Sequence, residues 1–121
     1  MVTTMRNGMR VLTVAPDGPP IQDEASALDI VGDAFGAEAE VVVVPVERLG
    51  GAFFELRSGV AGAVVQKFVT YRLRLVVVGD PAHHGPTSGP VDDWIREANR
   101  GPDLWFVADE AELDRRLGAG R

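Results

Sequence analysis

The side chains that could do chemistry are few, and they cluster near the ends of apolar runs. Ser58 stands in Leu56-Arg57-Ser58-Gly59-Val60, at the head of an apolar-periodic segment. A hydroxyl there can accept a phosphoryl group or contact an anion, because a helix N-terminus offers free N–H groups and a positive dipole end. The same hydroxyl can also serve as an ordinary N-cap. Asp80 follows Gly79 where a valine run ends. It reads either as a functional carboxylate at a strand end or as an Asx cap of the next turn. His83 and His84 are the only histidines, and with Asp80 they form a candidate pocket. Adjacent side chains diverge and no third or fourth ligand follows locally, so no metal site is expected. Glu47, Arg48, Glu55 and Arg57 supply charge along a candidate interaction rim. Gly59 and Gly62 would let a partner's backbone approach it.

Several chemistries are excluded. A Ser58–His84–Asp80 triad needs a Gly-x-Ser-x-Gly elbow, and Leu56-Arg57-Ser58-Gly59-Val60 is not one. Ser58 to Gly62 lacks the Gly-Lys-Ser/Thr ending of a phosphate-binding loop. The absence of cysteine removes thiolate catalysis, thiolate metal sites and disulfides. The expectation is therefore no catalytic residue, no metal and no cofactor. Twelve basic against eighteen acidic residues give a net charge of −6, which argues against a nucleic-acid partner. Phe53, Phe54, Trp94, Trp105 and Phe106 are accordingly assigned to the core rather than to a base-stacking platform. No apolar run approaches the roughly 20 residues of a membrane span. Met1 to Arg6 lacks the apolar stretch of a secretory signal, so no membrane partner and a cytoplasmic location are expected.

The elements that must position these residues follow from periodicity. The chain has 121 residues, which suits one domain over 1–121. Val2 to Arg6 and Met9 to Ala15 read as strands joined by Asn7-Gly8, a type I′ hairpin turn. A helix is expected from Glu24 to Phe35, capped by Asp23, with Leu28 and Phe35 among its core residues and Gly36 as its left-handed stop. Val41 to Val44 and Leu75 to Val78 are continuous β-branched or aliphatic runs, as in strands buried on both faces. A second helix is expected over Ser58 to Tyr71. Gly59 and Gly62 within it would be explained by close approach of a sheet, ligand or partner. A loop spans Pro81 to Pro90, and a third helix runs over Val91 to Asn99. A last strand, Leu104 to Val107, precedes a helix capped by Asp109 and Glu112 as a capping box. Gly118 to Arg121 is expected to fray. The sum is an α/β fold: a mixed sheet of about five strands, an N-terminal hairpin plus parallel strands, with four helices.

That element order, joined to Ser58-Gly59-Val60-Ala61-Gly62, resembles the STAS fold of anti-sigma-factor antagonists. In that family a Ser-Gly opens the helix after the central strand, and its serine is a phosphorylation switch. Leu56-Arg57 stands here where members carry Asp-Ser. A wider likeness runs from Phe53 to Gly62, through Gln66-Lys67-Phe68, Tyr71-Arg72 and Val78-Gly79-Asp80, to Asn99-Arg100-Gly101. These stretches are similar to the uncharacterised bacterial family called domain of unknown function 4180, which implies no established activity. The resemblances imply a STAS-like, non-enzymatic regulatory or protein-interaction module with an unidentified protein partner. The alternative is a small-molecule binder or weak enzyme with a pocket at the carboxyl ends of the parallel strands. A homodimer through the hairpin's edge strand or the last helix is compatible with either.

Overall fold

The computed structural model describes residues 1–119. The chain forms β1 (Val2–Arg6), β2 (Met9–Thr13), α1 (Glu24–Gly36), β3 (Val41–Pro45), α2 (Val60–Thr70), β4 (Arg74–Val78), α3 (Gly89–Ala98), β5 (Leu104–Val107) and α4 (Glu110–Ala119). Four short 3-10 turns interrupt the connections, at Val46–Arg48, Gly51–Phe54, Leu56–Ser58 and Pro81–His84. One sheet holds all five strands in the order β1-β2-β3-β4-β5. β1 is antiparallel to β2, and the other neighbours are parallel. The α/β class, the mixed five-stranded sheet and the four helices thus stand as expected.

The unbroken strand order has a consequence for the layers. Right-handed crossovers between successive parallel strands put every connecting helix on the same face. Ala27, Ile30, Val31 and Ala34 of α1, Ala61, Val64 and Phe68 of α2 and Val91 of α3 share one core with Leu12, Val42, Val44, Leu75, Val77, Leu104 and Phe106. The opposite face, with Val11, Val41, Val43, Val76, Trp105 and Val107, is covered by Leu113 and Leu117 of α4. The valine runs need no alternation because both of their faces are dry.

Local signals explain most boundaries, and several expected ones shift. Asn7 and Gly8 take φ of 51° and 82°, the positive values a type I′ turn requires. Asp23 accepts from the Ser26 N–H at 2.8 Å and from its hydroxyl at 2.7 Å, which holds the Asp23 carboxyl below the usual carboxylate range. β2 ends at Thr13 rather than Ala15. α1 includes Gly36, and the left-handed residue after it is Glu38 at φ 55°. Leu28 and Phe35 are 40% and 62% exposed, so they lie outside the core stripe. Phe35 instead meets Tyr71 edge-on at 5.7 Å. α2 begins at Val60, not Ser58, and ends at Thr70. α3 starts early, at Gly89, because the Ser88 hydroxyl accepts from the Val91 N–H at 3.3 Å and Pro90 suits the first turn. The expected loop over Pro81 to Pro90 therefore holds a 3-10 turn and a helix start. At α4, Asp109 accepts from the Glu112 N–H at 2.9 Å, while Glu112 accepts from Ala108 rather than from Asp109. Gly118 is helical, and the fraying expected beyond Ala119 lies outside the described residues.

Two glycines separate backbone need from mere presence. Gly79 has φ 127°, and a Cβ built on it would sit 2.7 Å from Val46 Cγ1. Gly62 meets nothing within 4 Å, so close approach within this chain does not explain it. Gly79→Ala is expected to destabilise by about 1–3 kcal/mol, from backbone strain plus the clash. Gly62→Ala is expected to be neutral or to stabilise by up to about 1 kcal/mol. Urea denaturation of the two variants beside the parent measures both.

Candidate functional site

The candidate residues converge on the carboxyl ends of β3 and β4, and the turns there explain how. After Pro45 the chain winds through three successive 3-10 turns instead of leaving the sheet at once. Buried Val46, Leu49, Phe53 and Phe54 pull those turns onto the strand ends. Leu49 forms a parallel bridge with Ile21, and the Ile21 N–H donates to the Arg48 carbonyl at 2.7 Å. The fourth turn, Pro81–His84, follows β4 and packs beside the first. The result is a continuous rim of short turns, with the segment after β2 fastened to its flank.

Ser58 is exposed at the last position of the third turn. Its hydroxyl donates to the Ala52 carbonyl at 2.7 Å and accepts from the Val60 N–H at 3.2 Å. It is therefore not the N-cap itself. Gly59 holds that position in the left-handed conformation, at φ 75°, which also accounts for the glycine. The hydroxyl instead ties the second turn to the first residue of α2. It donates to a carbonyl and not to a histidine.

Glu55 and Arg57 are exposed beside it. With Phe54 and Leu56 they form one wall of an open groove of about 600 Å³, and Pro86, Ser88, Pro90 and Val91 form the other. Glu47 is exposed on the first turn. Arg48 has a different task. Its Nε donates to the Pro19 carbonyl at 3.0 Å, and its Nη1 donates to the carbonyls of Ala15 and Asp17 at 2.9 and 3.2 Å. A planar guanidinium can hold several diverging acceptors at once. The side chain thus staples the segment after β2 to the rim, with three donor bonds turned inward.

Asp80 takes the capping alternative: its Oδ1 accepts from the Ala82 N–H at 2.9 Å. It borders a second depression, with Gly79, Pro81, Ile95, Phe106 and Ala108, and not the groove of Glu55 and Arg57. His84 Nε2 lies 3.4 Å from the Val46 carbonyl, and its ring centroid is 6.4 Å from that of Phe54. His83 meets the His84 ring edge-on at 4.8 Å. Among the described residues no group of three or more His, Asp or Glu is arranged to hold a metal ion. Asp80 therefore caps the turn that carries His83 and His84 and borders a different depression from Arg57, and neither histidine lines that depression.

The shape of the rim follows from the strand order. Open α/β sheets make a ligand crevice where the order of strands reverses and connections leave on opposite faces. This sheet has no reversal, and α1 to α3 lie on one face. The rim is consequently closed by its own turns, with shallow grooves between them. Sequence inspection missed the wall made by Pro86, Ser88 and Pro90; the Ser88-Gly89-Pro90 cap was the signal that could have revealed it. Nothing in the sequence marks the Ala52 carbonyl as the partner of Ser58.

A family model described as a domain of unknown function (DUF4180) matches residues 6–117. No curated protein and no solved structure matches the chain.

Replacing Arg48 tests whether the staple carries stability. Arg48→Ala is expected to lower stability by about 0.5–1.5 kcal/mol, because water can replace the donor at these largely exposed carbonyls. Arg48→Lys is expected to recover only part of it, because an ammonium cannot span the same acceptors. Thermal melts give the loss, and amide exchange is expected to speed up at Ile21, whose N–H is held by the Arg48 carbonyl.

Proposed function

We propose, for a chain that belongs to this family of unknown function, that it works as a non-enzymatic, STAS-like regulatory module whose contact surface is the rim around Ser58. In this reading the chain is a single domain of the bacterial cytoplasm, and it binds a protein partner rather than turning over a substrate. The observation that carries it is the exposed Ser58 hydroxyl donating to the Ala52 carbonyl at the joint between the second turn and α2. A phosphoryl group on that oxygen replaces the proton and so removes the bond to Ala52. It also adds about −1.5 to −2 charges beside the free N–H groups and positive end of α2. Arg57, the neighbouring residue, is an exposed cation able to pair with it. One modification would thereby exchange a turn-to-turn bond for contacts with the helix head, and the rim would change shape. The resemblance of Ser58-Gly59 to a switch serine supports the same reading, although Leu56-Arg57 departs from that pattern.

The groove between Phe54–Arg57 and Pro86–Val91 favours a second reading, a small-molecule binder. Its apolar floor between Glu55, Arg57 and Ser88 suits an amphiphilic ligand. Its openness, and a sheet without strand reversal, weigh against tight enclosure.

Native mass spectrometry of the protein isolated from its own host, followed by peptide mapping, separates the two. The expected result is phosphate on the peptide that contains Ser58. Unmodified Ser58 with a small-molecule adduct would overturn the switch in favour of the groove. Ser58→Ala and Ser58→Asp add a second arm. Both remove the donor to Ala52, but only Asp adds charge at α2, so partner binding is expected to differ between them. Equal binding by both variants and the parent would sink the reading.

A further inference from the structure

The amino ends of β4 and β5 hold two cations on one ring. Arg74 opens β4 and shares a face with Val76, two residues on. Trp105 and the buried side of α4 occupy that same face. Arg116 reaches the ring from α4. The Arg74 guanidinium carbon lies 4.2 Å from the Trp105 ring centroid, and that of Arg116 lies 4.1 Å from it. The two guanidiniums are therefore no farther apart than those two distances together, about 8 Å.

Their existing bonds hold both groups in place and leave donors over. Arg74 Nε donates to the Pro102 carbonyl at 2.7 Å, and its two Nη groups have no hydrogen-bond partner among the described residues. Arg116 Nη1 and Nη2 both donate to Asn99, whose Oδ1 also accepts from the Phe106 N–H at 2.7 Å. Neither arginine has a carboxylate at ion-pair distance. The ion pairs among the described residues use Arg6, Lys67, Arg96 and Arg100. Glu112, four residues before Arg116, gives its Oε1 to the Ala108 N–H at 2.6 Å. A chain of net charge −6 thus keeps two half-buried guanidiniums together without a countercharge of its own.

Arg74 also borders an open depression of about 470 Å³. Met9, Leu73 and Pro102 give it apolar walls, and Glu40, Asp103 and Arg72 stand on it. Its two carboxylates disfavour further negative charge there, but they can accept from hydroxyls.

We infer that Arg74 and Arg116 bind the phosphate of a small phosphate monoester whose remainder carries hydroxyl groups and lies in the depression of Glu40 and Asp103. Guanidinium forks match phosphate oxygens, with charge-assisted bonds of about 2.7–2.9 Å. Such bonds set each guanidinium carbon about 4–5 Å from the phosphorus, so one phosphate spans the pair. The charge of a phosphate monoester, about −1.5 to −2, answers two cations where a single carboxylate answers one. The site lies at the opposite ends of the strands from the rim, so this inference is independent of the switch at Ser58.

Titration of the full chain with ribose 5-phosphate, glycerol 3-phosphate and inorganic phosphate, at fixed ionic strength, tests it. The Trp105 indole N–H, bonded to the Gly101 carbonyl at 2.7 Å, reports the site in a proton–nitrogen correlation spectrum. Trp94, in the core on the other face of the sheet, is the internal control. The expected result is a saturable shift of the Trp105 signal with both esters and a static Trp94 signal. Ribose 5-phosphate is expected to bind about tenfold or more tightly than inorganic phosphate, through its hydroxyls. Arg74→Gln and Arg116→Gln are each expected to weaken binding about tenfold or more. Arg74→Lys keeps the charge but loses the fork, and is expected to fall between. No saturable shift of Trp105 with any probe, or equal affinity in the parent and both glutamine variants, would overturn the inference. Inorganic phosphate binding as tightly as the esters overturns it too. If neither glutamine variant folds, the exposed double variant Glu40→Gln, Asp103→Asn decides. It must weaken ribose 5-phosphate and spare inorganic phosphate, and unchanged ester binding overturns the inference.

Discussion

Everything in this molecule depends on covering both faces of one sheet with four helices. The strands run in sequential order, so three helices must crowd one face and α4 alone must close the other. Leu113 and Leu117 lie fully buried against Val11, Val41, Val43 and Val76, and without them a row of valines would face water. The ends of α4 are held by polar contacts to both sides of the sheet. Arg6 bonds Glu110 and Asp114 from the hairpin side. On the other side Arg116 lies 4.1 Å from the Trp105 ring centroid and Arg74 lies 4.2 Å from it. Cation–π contacts of this kind contribute about 0.5–2 kcal/mol each. Burial lowers the Arg116 pKa, Glu112 opposes that shift, and the charge of Arg74 over the same ring adds to it.

The same strand order shapes the rim. A sheet whose order reverses leaves an open crevice at its carboxyl edge. Here the connections leave on one side, and the space above the strand ends is filled by the chain's own 3-10 turns. Val46 against Gly79 and Phe54 near His84 knit those turns together, and Arg48 adds the segment after β2. Such a rim offers a textured surface with shallow grooves.

The candidate residues illustrate what a position in sequence can and cannot convey. For Asp80 the sequence left a functional carboxylate and an Asx cap both open, and the structure shows the cap, a local bond that spans two residues. Ser58 was legible as a hydroxyl at a helix head, but its donor bond runs back six residues to a backbone carbonyl. Arg48 looked like a rim charge and proved to be a staple for carbonyls about thirty residues earlier. Leu28 and Phe35 fit a helical stripe yet stay exposed, since a helix of α1's width buries only the part of its stripe that meets the sheet.

The sequence by itself determined the elements and their class. Asn7-Gly8, Asp23 and the Asp109-Glu112 pair act through bonds within a few residues, and the two valine runs mark doubly buried strands by composition alone, so composition and spacing suffice to place them. Membership of a family follows from the chain's residues in the same way. The tertiary structure alone decided which side chains meet. It set His84 on Val46 and Phe54, moved Asp80 away from the groove of Arg57, and left β1 with an open edge while closing β5 with Asn99. These outcomes depend on strand order and on contacts between residues far apart in the chain, and no local pattern encodes a distance that only packing creates.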